Sequence, residues 1–126
     1  MYRWIIILAL TGCAQINVSA DMFPCESVEL DAEPDLYVRA DGDDVLVFRA
    51  PVFVGNKDVF SPTISFERGV LFVREAWEPS EESDGELCVS PAVRYVDPPN
   101  SKLTVEWYLG TEIAPDFRMT FKASEL

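Results

Sequence analysis

The feature that most narrows the fold of this chain is an alternation of period two that recurs along most of its length. Leu36, Val38 and Ala40 alternate with Tyr37 and Arg39, and residues 45–50 resume an extended run after Asp41-Gly42-Asp43-Asp44. Successive side chains of a strand point to opposite faces, so such alternation marks a strand with one buried face. Asp and Gly accept the backbone angles of a tight turn, which makes the two runs a hairpin. Pro51 interrupts, and residues 52–54 continue as an edge or bulged segment. Thr63–Glu67 and residues 70–77 flank Arg68-Gly69 as a second hairpin. Residues 86–90 form a short strand around Cys88, while 92–96, the turn 97–101 and 102–109 read as a third hairpin-like unit. Leu103, Val105, Trp107 and Leu109 share one face there, and Phe117, Met119 and Phe121 repeat the pattern near the end.

No run of ten or more residues carries a helical stripe, and nine prolines break the chain repeatedly. The expected fold is all-β: an antiparallel β-sandwich, immunoglobulin-like or related, with seven to nine short strands. Cys25, Trp77 and Cys88 follow the immunoglobulin order, but Trp77 stands too close to the second cysteine. The architecture is therefore expected, and the family is not. A chain of 126 residues has room for one such domain.

Ten Lys and Arg stand against 22 Asp and Glu, a formal charge of −12. That surface repels nucleic acid and the face of an anionic membrane. It suits solubility or a basic protein partner. The chain has no histidine. Ser-His-Asp and Cys-His catalysis are excluded as usually built, and a common metal ligand is missing. No catalytic residue, metal or cofactor is expected. The Asp41-Gly42-Asp43-Asp44 turn offers clustered oxygens but lacks the spacing of a calcium loop. Residues 75–86 hold Glu75, Glu78, Glu81, Glu82, Asp84 and Glu86 and no base. Self-repulsion and Pro79 are expected to keep the middle of this loop mobile. Glu78, Glu81, Glu82, Asp84 and Glu86 are the candidate partner-binding residues, because clustered charge accelerates encounter.

Arg3, the apolar run 4–10 and the small residues before Cys13 have the layout of a secretory signal. The run falls well short of the roughly 20 apolar residues of a transmembrane helix. Leu10-Thr11-Gly12-Cys13 resembles the lipobox of bacterial lipoproteins. The resemblance implies cleavage before Cys13, acylation of its sulfur and anchoring by more than one chain, which holds a protein firmly. Ala14 in the next position resembles the Gram-negative pattern sent to the outer membrane. The implied organisation is a signal peptide over 1–12, a flexible tether over 13–24 and a β-sandwich domain over 25–126. The competing reading of the same residues is a buried N-terminal strand with an ordinary cysteine.

With Cys13 acylated, Cys25 and Cys88 remain as a pair, and an oxidising periplasm permits their disulfide. The expected protein is lipid-anchored in the cell envelope, facing the periplasm, and acts by binding another envelope protein. An assembly or accessory lipoprotein of an envelope complex comes first. An inhibitor or immunity lipoprotein against a cationic hydrolase or toxin is the alternative, and a structural surface lipoprotein is the third.

Overall fold

The computed structural model describes residues 4–9, 15–25 and 35–126, and these form twelve strands and no α-helix. In chain order they are β1 (Trp4–Ala9), β2 (Gln15–Pro24), β3 (Leu36–Asp41), β4 (Asp44–Arg49), β5 (Val52–Gly55) and β6 (Val59–Phe60). Then follow β7 (Thr63–Glu67), β8 (Val70–Arg74), β9 (Trp77–Glu78), β10 (Glu86–Tyr95), β11 (Lys102–Tyr108) and β12 (Phe117–Lys122). One sheet has the order β1-β2-β10-β4-β3, with β5 also on β10. A second has the order β12-β11-β8-β7, and β6 pairs with β9. Every ladder is antiparallel except β8 with β11, which is parallel.

The two larger sheets share one core. Val18, Ala20, Val45, Val47, Val93 and Tyr95 of the first meet Ile64, Leu71, Val73, Leu103, Val105 and Trp107 of the second. Within each strand these positions are two apart, which is the period that predicted them. Phe117, Met119 and Phe121 pack against the same core from β12. The other face of the first sheet has its own small cluster of Leu46, Phe48 and Ala92, with Phe23 and Tyr37 alongside. On that face the Arg39 guanidinium sits 5.0 Å over the Phe48 ring. Arg94 reaches carboxylates of Asp21, Asp41 and Asp44 at 3.5, 2.8 and 3.2 Å. One cation thus joins β2, β10 and the β3–β4 turn.

Strand β10 is the spine. It has partners on both sides: β2 along Val89–Tyr95 on one, and on the other β4 along Ala92–Tyr95 followed by β5 along Glu86–Val89. Phe48 pairs with Ala92 and Val52 with Val89, so three residues of the β4–β5 side oppose two of β10. This is a β-bulge. Pro91, which has no N–H to donate, sits inside a long central strand because it lies opposite the bulge. The buried Ser90 hydroxyl donates to the Arg49 carbonyl there, so the extra residue leaves no orphan at that oxygen. The predicted break between 86–90 and 92–96 is therefore one continuous strand.

Other expectations are corrected. Within 13–24, where a flexible tether is expected, Gln15–Pro24 is a ten-residue strand with Val18, Ser19, Ala20 and Asp21 buried. Its pairing to β10 from Val18 opposite Tyr95 to Pro24 opposite Val89 supplies the backbone partners that a tether would find in water. The strand count exceeds nine because β1 and β2 come from the segment assigned to signal and tether, and because β6 and β9 are two-residue strands. The third hairpin is not a hairpin. Asp97-Pro98-Pro99-Asn100-Ser101 carries the chain from one sheet to the other, and β11 pairs with β8 and β12 instead of β10. Cys13 lies outside the described residues.

The β7–β8 turn has Arg68 at φ 52° and Gly69 at φ 78°, between Glu67 and Val70 in register. Two positive φ values make a hairpin turn whose twist matches the strands, and Asn-Gly is its preferred pair. Arg68→Asn is expected to raise stability by about 0.5–1 kcal/mol, because arginine is strained in the left-handed region. The urea midpoint of the variant checks it.

Candidate interaction surface

The candidate carboxylates lie on the loop between β9 and β10 and at the strand ends that bound it, Glu78 closing β9 and Glu86 opening β10, and all five of Glu78, Glu81, Glu82, Asp84 and Glu86 are exposed. The loop is nevertheless held. Asp58 in the β5–β6 connection accepts hydrogen bonds from the Gly55 amide at 2.9 Å, the Ser80 amide at 3.0 Å and the Ser83 hydroxyl at 3.0 Å. Asn56 donates to Asp84 at 2.7 Å and accepts from the Asp84 amide at 3.1 Å. The Lys57 amide donates to Ser83 Oγ, and the Asn56 amide to the Gly85 carbonyl. The expected mobility of the loop middle is thus corrected. Self-repulsion acts on exposed side chains, while the backbone is tied to residues more than twenty positions earlier.

Gly55 leaves the room that the Asp58 and Ser83 side chains occupy, and any larger residue would make them shift. A Cβ there would stand 2.7 Å from both Asp58 Oδ1 and Ser83 Oγ. The Ser80 amide does most to hold the Asp58 carboxyl below the usual carboxylate range; desolvation opposes it, and the Ser83 hydroxyl and the Gly55 amide add to the lowering. A depressed folded pKa means that this contribution is complete above the unfolded value and lost as pH falls through the folded one. Asp58→Ala is expected to loosen residues 80–84 at neutral pH, and acidification is expected to do the same to the native loop. Amide order parameters of Ser80, Ser83 and Asp84 across the pH range check both.

Glu75 belongs elsewhere. Its side chain is 8% exposed, one residue past the end of β8. It accepts from the indole N–H of Trp107 and of Trp77, each at 3.0 Å. Arg49 Nε lies 2.8 Å from the same carboxylate without an aligned hydrogen bond, so that pair is an ion pair. Phe60 packs on Trp77 and stacks over Trp107. This carboxylate ties all three sheets together at the root of the acidic loop.

Two apolar side chains flank the loop. Phe53 of β5 is 69% exposed and Leu87 of β10 is 44% exposed. Their register places them on opposite faces, since Phe53 opposes Cys88 and Val54 opposes Leu87. The disulfide is formed: Cys25 and Cys88, with Cα atoms 5.5 Å apart, continue the β2–β10 register one pair past Pro24 and Val89. The bridge therefore lies at the base of the loop. Gln15 lies at the opposite end of β2, about 30 Å away at the rise of an extended strand.

An open groove of about 390 Å³ on the second sheet is lined by Thr63, Ser65, Phe72, Arg74, Tyr108 and Glu112, among others, and shares no residue with the acidic loop. Arg74 stacks on the Tyr108 ring and bonds to the Gly110 carbonyl. The Tyr108 hydroxyl donates to Glu106 at 2.8 Å, and that bond with desolvation raises its pKa. Arg74, Tyr108 and Glu106 thus engage one another and the Gly110 carbonyl. No group of three or more Cys, Asp or Glu is placed to hold a metal among the described residues. No family model, curated protein or solved structure matches the chain.

Proposed function

We propose that this chain is a lipid-anchored envelope protein that binds a basic protein through its acidic tip, as an assembly or accessory subunit of an envelope complex. The architecture in this reading is a β-sandwich, immunoglobulin-like or related. Cleavage before Cys13 and acylation of that cysteine place the anchor two residues before β2. The observation that carries the reading is the placement of the preformed acidic loop, at the pole away from that anchor. Glu78, Glu81, Glu82, Asp84 and Glu86 present their charge outward there, with Phe53 and Leu87 as apolar contacts. Clustered charge steers a cationic partner, and buried apolar contacts slow its departure. Binding is non-covalent, and catalysis has no part in it.

The held loop also favours a second reading, an inhibitor or immunity protein for a cationic hydrolase or toxin, because a preordered loop loses little entropy on binding. A pull-down from solubilised membranes separates the two: an assembly factor co-purifies with a large complex, and an inhibitor with one soluble enzyme. In either case Glu81→Lys with Glu82→Lys is expected to slow association about tenfold or more at low salt, with less effect at high salt. Unchanged association kinetics would remove the acidic tip from the binding surface.

A further inference from the structure

Strand β1 runs antiparallel along the outer edge of β2, from Trp4 opposite Ala20 to Ala9 opposite Gln15. It also comes close to β7, an edge strand of the second sheet. It therefore lies at a seam between the two sheets. We infer that this seam is a strand-binding slot, and that the mature protein fills it with an apolar extended segment of its envelope partner, antiparallel to β2. The inference rests on the proposed cleavage before Cys13, which removes Trp4–Ala9 with the signal.

Two observations carry it. The first is the occupant seen in the structure, WIIILA, which is uncharged and rich in β-branched residues. Such a strand adds main-chain hydrogen bonds to an open edge, and β-augmentation is a common mode of segment recognition. The second is the edge itself. Sheet edges are ordinarily blunted by charge, proline or a bulge. Edge strand β3 carries Arg39 and Asp41, β12 carries Arg118 and Lys122, and β7 carries Glu67. Residues 15–20 of β2, Gln-Ile-Asn-Val-Ser-Ala, carry no charge and no proline. Val18 and Ala20, each 1% exposed, belong to the shared core beside this seam. An edge built this way is suited to a partner strand and not to water.

The test uses the protein extracted from membranes in detergent. Its intact mass establishes whether residues 1–12 are gone. Amide exchange over 15–20 is then followed with a synthetic WIIILA peptide between lysine pairs, and with a control carrying proline at two of the isoleucines. The expected result is cleavage, fast exchange at the outward amides of β2, and slowing by about tenfold or more with the first peptide only. Cleavage with no slowing, or equal slowing by both peptides, overturns the slot and leaves the anchor reading intact. A dimer with β2 already protected assigns the edge to a second copy and overturns the partner strand. Retention of residues 1–12 with β2 protected overturns the slot and the cleavage together.

Discussion

Replacing Cys25 and Cys88 together by serine is expected to lower the free energy of unfolding by about 4 kcal/mol. The two residues are 63 positions apart in sequence. Opening a loop of that length returns about this much entropy to the unfolded chain in the loop-closure treatment. A domain of this size is ordinarily stable by about 5–15 kcal/mol, so the loss is a large part of the margin. Native contacts change little, since the pair sits at the end of a ladder that already joins β2 to β10 from Val18 to Pro24. The effect is therefore expected in the unfolded state, with a steeper urea dependence as that state expands. Urea titrations of native and Ser/Ser protein check it, and reductant is expected to shift only the first. A loss below about 1 kcal/mol would show that the unfolded chain keeps these strands together without the bond.

Glu75→Ala is expected to cost about 3–5 kcal/mol, the range for removing one partner of a buried ion pair. The substitution leaves Arg49 without its counter-charge and leaves the indole N–H groups of Trp77 and Trp107 without acceptors. A companion variant separates these effects. Arg49→Met with Glu75→Leu removes both charges but still strands both indoles, so it is expected to recover only part of the loss. Full recovery would show that the ion pair dominates and the indole bonds contribute little. Thermal or urea unfolding of the three proteins decides, with indole side-chain proton exchange as the direct readout of the lost acceptor. Because the carboxylate joins all three sheets, the loss is expected to be global and not confined to the loop.

Most strands of this fold were legible because one face of each is buried, which writes a period of two into the residues. The β3–β4 and β7–β8 hairpins follow from Asp-Gly and Arg-Gly turns alone. β2 was legible too, since Ile16, Val18, Ala20 and Met22 alternate with Asn17, Ser19 and Asp21. The tether expectation rests on reading this stretch as having no clear period, which misses the alternation. The pairing of β11 could not be read, because the turn 97–101 looks the same whether the next strand returns to its sheet or crosses to the other. Pro91 suggested a break because its bulge is contributed by residues forty positions earlier. The acidic candidates are exposed, as carboxylates with no cation beside them stay in water. Their ordering was hidden, because it depends on Asp58 and Asn56, whose roles exist only after β5 and β10 pair. Glu75 was grouped with the acidic loop on proximity in the chain, although its neighbour Trp77 and the distant Arg49 decide its place.

The direction of β2 has a mechanical consequence. A load applied between the chain before Gln15 and a partner held at the acidic tip would act along the axes of β2 and β10. Their ladder would be sheared as a set, not unzipped bond by bond, and the Cys25–Cys88 bridge would form a covalent stop at its far end. The outer strands would lie beside this line of force. The domain would then behave as a stiff spacer under tension, with its covalent link beside the surface that takes the pull.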